Sequence, residues 1–98
     1  MLFIVRFTDK PESLALRNEL LGAHLEWLEA HRASVLVAGS LRHAPGDAPV
    51  GGCWVVDAVS KEEVEALLRD DPFWTAGLRE AWEVLHWSKA FPDRLTLV

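Results

Sequence analysis

The chain has 98 residues, half of them hydrophobic, which suffices for one domain with a thin core that burial between subunits would extend. Ten basic against fifteen acidic residues give a formal charge of −5 without a basic run, so we expect neither nucleic acid nor a membrane as partner. The single Cys53 cannot form an internal disulfide, and the apolar residues 1–5 are too few for a signal peptide or a membrane span. These features predict a cytoplasmic protein.

The first predicted element is a strand over residues 2–7, with apolar side chains at both odd-numbered and even-numbered positions. Its side chains form two alternating sets, Leu2 and Ile4 on one side and Phe3, Val5 and Phe7 on the other. Both faces of this strand therefore need cover.

A long helix is predicted over residues 12–32, where the leucines and Trp27 gather into one arc that should face the sheet. Three polar residues lie in the same arc at spacings of seven: Arg17, His24 and His31. Arg17 can extend its head group to solvent, and His31 can cap the C-terminal end of the helix. His24 differs, because a buried imidazole needs partners for both nitrogens and so predicts a polar group opposite it.

Two further strands are predicted at residues 35–40 and 53–58, joined by a glycine- and proline-rich loop over residues 41–51. Gly39 marks either a bend in the second strand or a place where another group approaches the backbone closely.

The second helix, residues 61–70, is predicted to start at a capping box formed by Ser60 and Glu63. It should end near Asp71, because Pro72 disfavours the helical conformation in the preceding residue and lacks an N–H group. Pro72 is well suited to begin another short helical turn, with Asp71 as its N-cap. On one interpretation Asp71 is therefore a cap and nothing more.

Residues 80–87 alternate as a fourth strand, and residues 88–98 form a tail whose apolar end indicates that it docks on another surface. The order βαββαβ predicts an α+β, ferredoxin-like fold, a four-stranded antiparallel sheet with two helices on one face. Because the strands are apolar on both sides, a second subunit should cover the helix-free face. The economical arrangement is a homodimer of the dimeric α+β barrel type.

His24 and Asp71 each lie on the apolar side of their own helix, and two helices on one sheet face can bring them together. A carboxylate bound to one imidazole nitrogen fixes the tautomer and leaves the other nitrogen free to take or give a proton. The sequence shows no nucleophile elbow, phosphate-binding loop or HExxH metal motif. Flanking aromatic residues suit a pocket for a planar organic substrate, for which the candidate lining is Arg17, Trp27, Ser40, Phe73 and Trp74.

Several segments resemble the YCII-related family, namely the strand start at residues 1–5, Arg17 with residues 24–28, Ala38-Gly39, residues 71–73 and 76–78, and the ending at residues 87–91. The resemblance covers about residues 1–91 and implies one dimeric α+β barrel domain in which His24 and Asp71 form a His–Asp dyad. Residues 92–98 extend beyond the usual end of the family as a C-terminal tail. Activity in the family is mostly unassigned, although it includes a dehydrochlorinase of chlorinated hydroxyhydroquinone degradation.

Three functions stay open at this point. The first is a cofactor-free and metal-free enzyme that moves a proton on a small aromatic or enol-like molecule, as a lyase or isomerase, with His24 as acid/base and Asp71 as its orienter. The second is a non-catalytic dimeric module that binds a small metabolite in the same pocket. The third is a structural pair, with His24 bonded to a backbone carbonyl. A contact that opens onto a cavity favours the first two functions, and a sealed contact favours the third.

Overall fold

A single antiparallel sheet with helices packed on one face forms the computed structural model, which describes residues 1–98. In chain order its elements are β1 (Leu2–Asp9), α1 (Leu14–Ala30), β2 (Val35–Leu41), β3 (Gly51–Asp57), α2 (Lys61–Asp70), α3 (Pro72–Thr75) and β4 (Arg79–Trp87). The strand order is β2-β3-β1-β4, with every neighbouring pair antiparallel. The predicted ferredoxin-like α+β fold is confirmed.

The two parities of β1 face different surroundings, as the alternation predicted. Phe3, Val5 and Phe7 are buried in the core beneath the helices, together with Trp54 and Val56 of β3. The opposite parity of the strands forms an open face that no helix covers. This open face carries apolar side chains from all four strands: Leu2, Ile4, Val37, Leu41, Val55, Leu85 and Trp87.

The first helix is shorter than predicted and does not seal against the sheet. It begins at Leu14 rather than Glu12, because Glu12 adopts a left-handed backbone conformation with φ of 58°. Its buried residues are Arg17 and His24, whereas Leu21 is 40% exposed and other leucines of the arc are similarly accessible. The apolar arc of α1 therefore lines a cavity instead of closing the core.

A close backbone approach occurs at Gly51, not at Gly39. A Cβ atom on Gly51 would lie 1.8 Å from the carbonyl oxygen of Phe7, so only glycine fits there, and β3 begins at this residue. A Cβ on Gly39 would meet no atom within 4 Å. Of the two alternatives predicted for Gly39, a close approach within the chain is wrong, because close contact depends on the partner strand, which the glycine alone does not reveal.

The predicted start and end of α2 are confirmed. The hydroxyl of Ser60 accepts a hydrogen bond from the Glu63 N–H at 3.2 Å, and a Glu63 carboxylate oxygen accepts one from the Val59 N–H at 3.1 Å. The helix ends at Asp70, and Pro72 occupies the first position of α3. Asp71 thus lies between two helices in extended backbone.

The C-terminal tail lies beside the open face without burying its apolar end. Leu95, Leu97 and Val98 are each at least 90% exposed. A space of about 450 Å³ is lined by the tail and the nearby sheet, so the apolar end is not buried within one chain, and its docking on another surface stays a prediction. None of the helices is both long enough and apolar enough to cross a membrane.

Candidate active site

His24 and Asp71 are in direct contact. The Nδ1 atom of His24 lies 2.7 Å from Oδ1 of Asp71, and the two side chains are only 9% and 1% exposed. Because an ionised carboxylate can only accept, the contact assigns the proton to Nδ1 and the free lone pair to Nε2. The partner of His24 is a carboxylate rather than a backbone carbonyl, which excludes the third function in the form predicted.

The break between α2 and α3 places the carboxylate. Oδ1 of Asp71 also accepts the backbone N–H of Phe73 at 3.3 Å, so the N-cap of α3 and the histidine share one oxygen atom. The neighbouring Asp70 accepts the indole N–H of Trp27 at 3.0 Å. Two consecutive carboxylates therefore hold α1 against the break, and the cap-only interpretation of Asp71 is incomplete.

The ring of Phe73 fixes the plane of the imidazole. The Phe73 and His24 rings are stacked, with centroids 3.8 Å apart and planes 12° apart. Phe73 is fully buried, so the imidazole rests on a rigid apolar surface.

A cavity of about 590 Å³ opens between α1, β2 and the loop that connects β2 to β3. Leucines of α1 line one wall, and Trp54 contributes another apolar surface. The polar residues in its lining are Arg17, Asn18, His24, Ser40, Arg42, Asp47 and Arg79. Nε2 of His24 has no hydrogen-bond partner in the protein and is not among the fully buried polar atoms. The dyad thus opens onto a space that can hold a small molecule.

Two of the five predicted pocket residues, Arg17 and Ser40, line this cavity, and the three aromatic ones do not. Trp27 stacks on Trp54 with centroids 5.4 Å apart, and Phe73 lies behind His24. Trp74 packs edge-on against Trp82 at 4.4 Å. The sequence placed these aromatic side chains near the dyad, but they support the wall rather than form it.

A buried ion cluster that sequence reasoning missed adjoins the cavity. Nε of Arg17 donates to Asp9 Oδ2 at 2.9 Å, and Nη1 of Arg79 donates to Asp9 Oδ1 at 2.8 Å. Arg17 also donates through Nη2 to the Gly51 carbonyl at 3.0 Å, so it does not extend to solvent as predicted. Burial lowers the pKa of Arg79, while the hydrogen bond and the charge of Asp9 oppose that change.

One sequence signal could have revealed Asp9. The odd-numbered residues of β1 face the core, and Asp9 is the last of them. Its exposed fraction is 8%. A carboxylate in a core-facing position needs cationic or hydrogen-bonding partners. No set of three or more His, Cys, Asp or Glu side chains is arranged to hold a metal ion.

Three solved structures resemble this chain. A 5-chloro-2-hydroxyhydroquinone dehydrochlorinase from Burkholderia phenoliruptrix AC1100, in complex with 2,5-dihydroxybenzoquinone, is 34% identical with a TM-score of 0.82, covering 90% of this chain and 94% of that chain. A putative antibiotic biosynthesis monooxygenase from Bacteroides thetaiotaomicron VPI-5482 is 17% identical with a TM-score of 0.59, covering 99% and 95%. A protein from Agrobacterium tumefaciens is 15% identical with a TM-score of 0.52, covering 94% and 98%.

The last two likenesses, both below 25% identity, show a shared α+β fold. No protein of curated function matches the chain significantly. The YCII-related domain matches residues 1–88, which include both members of the His24–Asp71 pair. The chain therefore belongs to the YCII-related domain family.

Proposed function

We propose that this protein is an enzyme that catalyses proton transfer on a small hydroxylated aromatic or enol-type compound, as a lyase or isomerase. The observation that carries the proposal is the 2.7 Å contact of His24 with Asp71 at the wall of a cavity. A volume of about 590 Å³ is within the range of small-molecule sites.

In this proposal His24 is the general acid/base and Asp71 orients it. Nε2 takes a proton from the substrate, and Asp71 stabilises the imidazolium that results while holding the tautomer. The stacked Phe73 ring keeps Nε2 directed at the ligand. Proton transfer of this kind needs no cofactor.

The 34% identical dehydrochlorinase favours one member of this class, the loss of HX from a halogenated hydroxylated ring. In that reaction a hydroxyl proton leaves as its oxygen becomes a carbonyl, and a proton is added to the ring carbon that bears the halogen. A second hydroxyl then loses its proton, and the halide leaves with the electron pair of the carbon–halogen bond. The products are a hydroxyquinone, one proton and one halide, so no oxidant is consumed. His24 can serve each proton transfer.

We also propose that the working unit is a homodimer formed through the open face. The apolar residues of this face include Leu85 and Trp87, which are 46% and 43% exposed in the single chain. Water-exposed apolar strands of this extent are typical of a surface that another protein covers. The resemblance to the YCII-related family, to which the chain belongs, implies the same arrangement.

Halide release tests the enzymatic proposal. Chlorinated hydroquinones and hydroxyhydroquinones are incubated with the protein under argon, and chloride and quinone absorbance are followed for wild type, His24→Asn and the matched control Arg32→Gln. Arg32 lies at the exposed end of α1, away from the cavity. We expect release with wild type and control, and a rate lower by roughly 100-fold or more with His24→Asn. Tight binding without turnover would instead support the non-catalytic module.

A further inference from the structure

We propose that Arg79 and Arg17 form an anion subsite beside His24, which binds an ionised oxygen of the substrate, a phenolate or an enolate. The inference rests on the proposed function for the identity of the ligand as a small hydroxylated ring. It adds that this ring binds in its anionic form, through residues outside the His–Asp pair.

Two guanidinium groups of the cluster share one directly paired carboxylate. Asp9 uses one oxygen for each of two guanidinium groups, so the trio of Asp9, Arg17 and Arg79 carries one surplus positive charge. All three side chains are at least nine-tenths buried. The charge of the other buried carboxylate, Asp71, also acts on Arg79 and raises its pKa, but Asp71 forms no ion pair with either arginine, because its hydrogen bonds go to His24 and the N–H of Phe73. Two buried guanidinium groups thus share one directly paired carboxylate, and a further anionic oxygen beside them can accept the donors that remain.

Both arginines keep donors that no protein atom accepts. Nε of Arg79 has no hydrogen-bond partner but is fully buried, so the donors that a ligand can contact are the Nη atoms. Nη2 of Arg79 and Nη1 of Arg17 also donate to no atom of the chain, and both residues line the cavity that His24 lines. Guanidinium groups with spare N–H donors are well suited to bind an anionic oxygen.

The ring of Phe73 brings these donors close to the dyad. The Cζ atoms of Arg17 and Arg79 lie 5.0 and 4.9 Å from its centroid, and the His24 ring is stacked on it at 3.8 Å. Three cationic or potentially cationic groups therefore surround one aromatic ring. Because Arg17, Arg79 and His24 also line one cavity, we infer that a single ring bound there contacts both Nε2 and a guanidinium group.

Two other charged side chains line the same cavity, from the loop between β2 and β3. Arg42 donates to the Ser40 hydroxyl and to the backbone carbonyl of Asp47, so its donors are partly engaged. Asp47 contributes a carboxylate, but this side chain forms no ion pair and belongs to an exposed loop. The buried arginines rather than this loop therefore define the anion subsite.

Comparing an anionic quinone with a neutral one tests whether the charge of the ligand contributes to binding. The probe is 2,5-dihydroxybenzoquinone, a vinylogous acid that is ionised at neutral pH, and the neutral control is 2,5-dimethoxybenzoquinone. Binding is measured by calorimetry and by quenching of tryptophan fluorescence. We expect the anion to bind at least about 10-fold more tightly than the neutral control, because one charge-assisted hydrogen bond increases the affinity by about that factor or more.

Variants of Arg79 then test whether this residue binds the anion. Arg79→Lys keeps a cation beside Asp9 but removes the fork of donors, and it should weaken anion binding roughly 10-fold, whereas Arg79→Met should weaken it roughly 100-fold. Arg32→Gln should bind like wild type. If Arg79→Met does not fold, the Arg79→Lys variant and the comparison of the two quinones on wild type still test the anion subsite. Equal affinity for both quinones, or unchanged anion affinity in Arg79→Lys, would overturn the subsite.

The subsite and the proposed function can fail separately. His24→Asn should lose turnover yet keep the preference for the anionic probe. Preference for the anion without any turnover would contradict the enzyme and leave the subsite standing. Turnover without that preference would contradict the subsite and leave the enzyme standing.

Discussion

At the residue scale, the site depends on one oxygen atom. Oδ1 of Asp71 accepts both the Phe73 N–H and the Nδ1–H of His24. The sequence predicted the cap from the Asp-Pro pair and the need for a polar partner from a histidine on an apolar arc. It could not predict that a single atom serves both, because that depends on how α1 crosses the break.

Asp71→Asn separates the two roles. Asparagine keeps an oxygen that can cap α3, but it removes the charge that stabilises an imidazolium, so we expect the rate of substrate turnover to fall on the order of 100-fold or more. Asp70→Asn is the matched control, because Asp70 is the adjacent carboxylate and bonds to Trp27 outside the cavity lining. Steady-state kinetics of both variants check this. Equal rates for the two variants would show that the charge of Asp71 has no part in the reaction.

At the element scale, local signals predicted the bounds of α2 and the start of α3, and long-range packing decided what the helices enclose. The Ser60–Glu63 capping box and the break before Pro72 follow from neighbouring residues, and both were predictable. The cavity was not, since the arc of α1 has the composition of a core-facing surface. The Asp9–Arg79 pair joins residues 70 positions apart, which no local pattern reveals.

Pro72→Ala tests the break between α2 and α3. Without the proline, Asp71 can adopt a helical conformation that turns its carboxylate away from His24. We expect turnover to fall at least about 10-fold, while the free energy of unfolding falls by no more than about 1 kcal/mol. Urea denaturation and kinetics measure the two effects, with Pro92→Ala in the tail as control. A variant that unfolds slightly more easily but turns over at the wild-type rate would support a purely structural break.

At the scale of the whole molecule, the sequence predicted an unpaired apolar surface, and the fold shows where it lies. Val5 is fully buried beneath the helices, whereas Val55 lies on the open face beside Cys53. Burial raises the pKa of the Cys53 thiol, and the positive charge of Arg6 opposes this change. A raised pKa leaves less of the reactive thiolate at neutral pH.

Val55→Glu places a charge in the middle of the open face. We expect wild type to be a dimer by light scattering at micromolar concentration, and this variant to be monomeric or aggregated. Its Cys53 should also react faster with iodoacetamide at pH 8, because loss of the partner exposes the thiol. Val59→Glu is the control, since Val59 is 78% exposed on the loop before α2. A monomeric wild type would contradict the proposed dimer.

The central claim is that His24 transfers a proton to and from a ring carbon of the substrate. Deuterium incorporation from D₂O into hydroxyhydroquinone, which lacks a halide, measures that transfer directly by proton NMR under argon. We expect wild type to accelerate exchange at a ring carbon next to a hydroxylated carbon, and His24→Asn to lower this acceleration by roughly 100-fold or more. Exchange that wild type does not accelerate, or that His24→Asn accelerates equally, would contradict the claim.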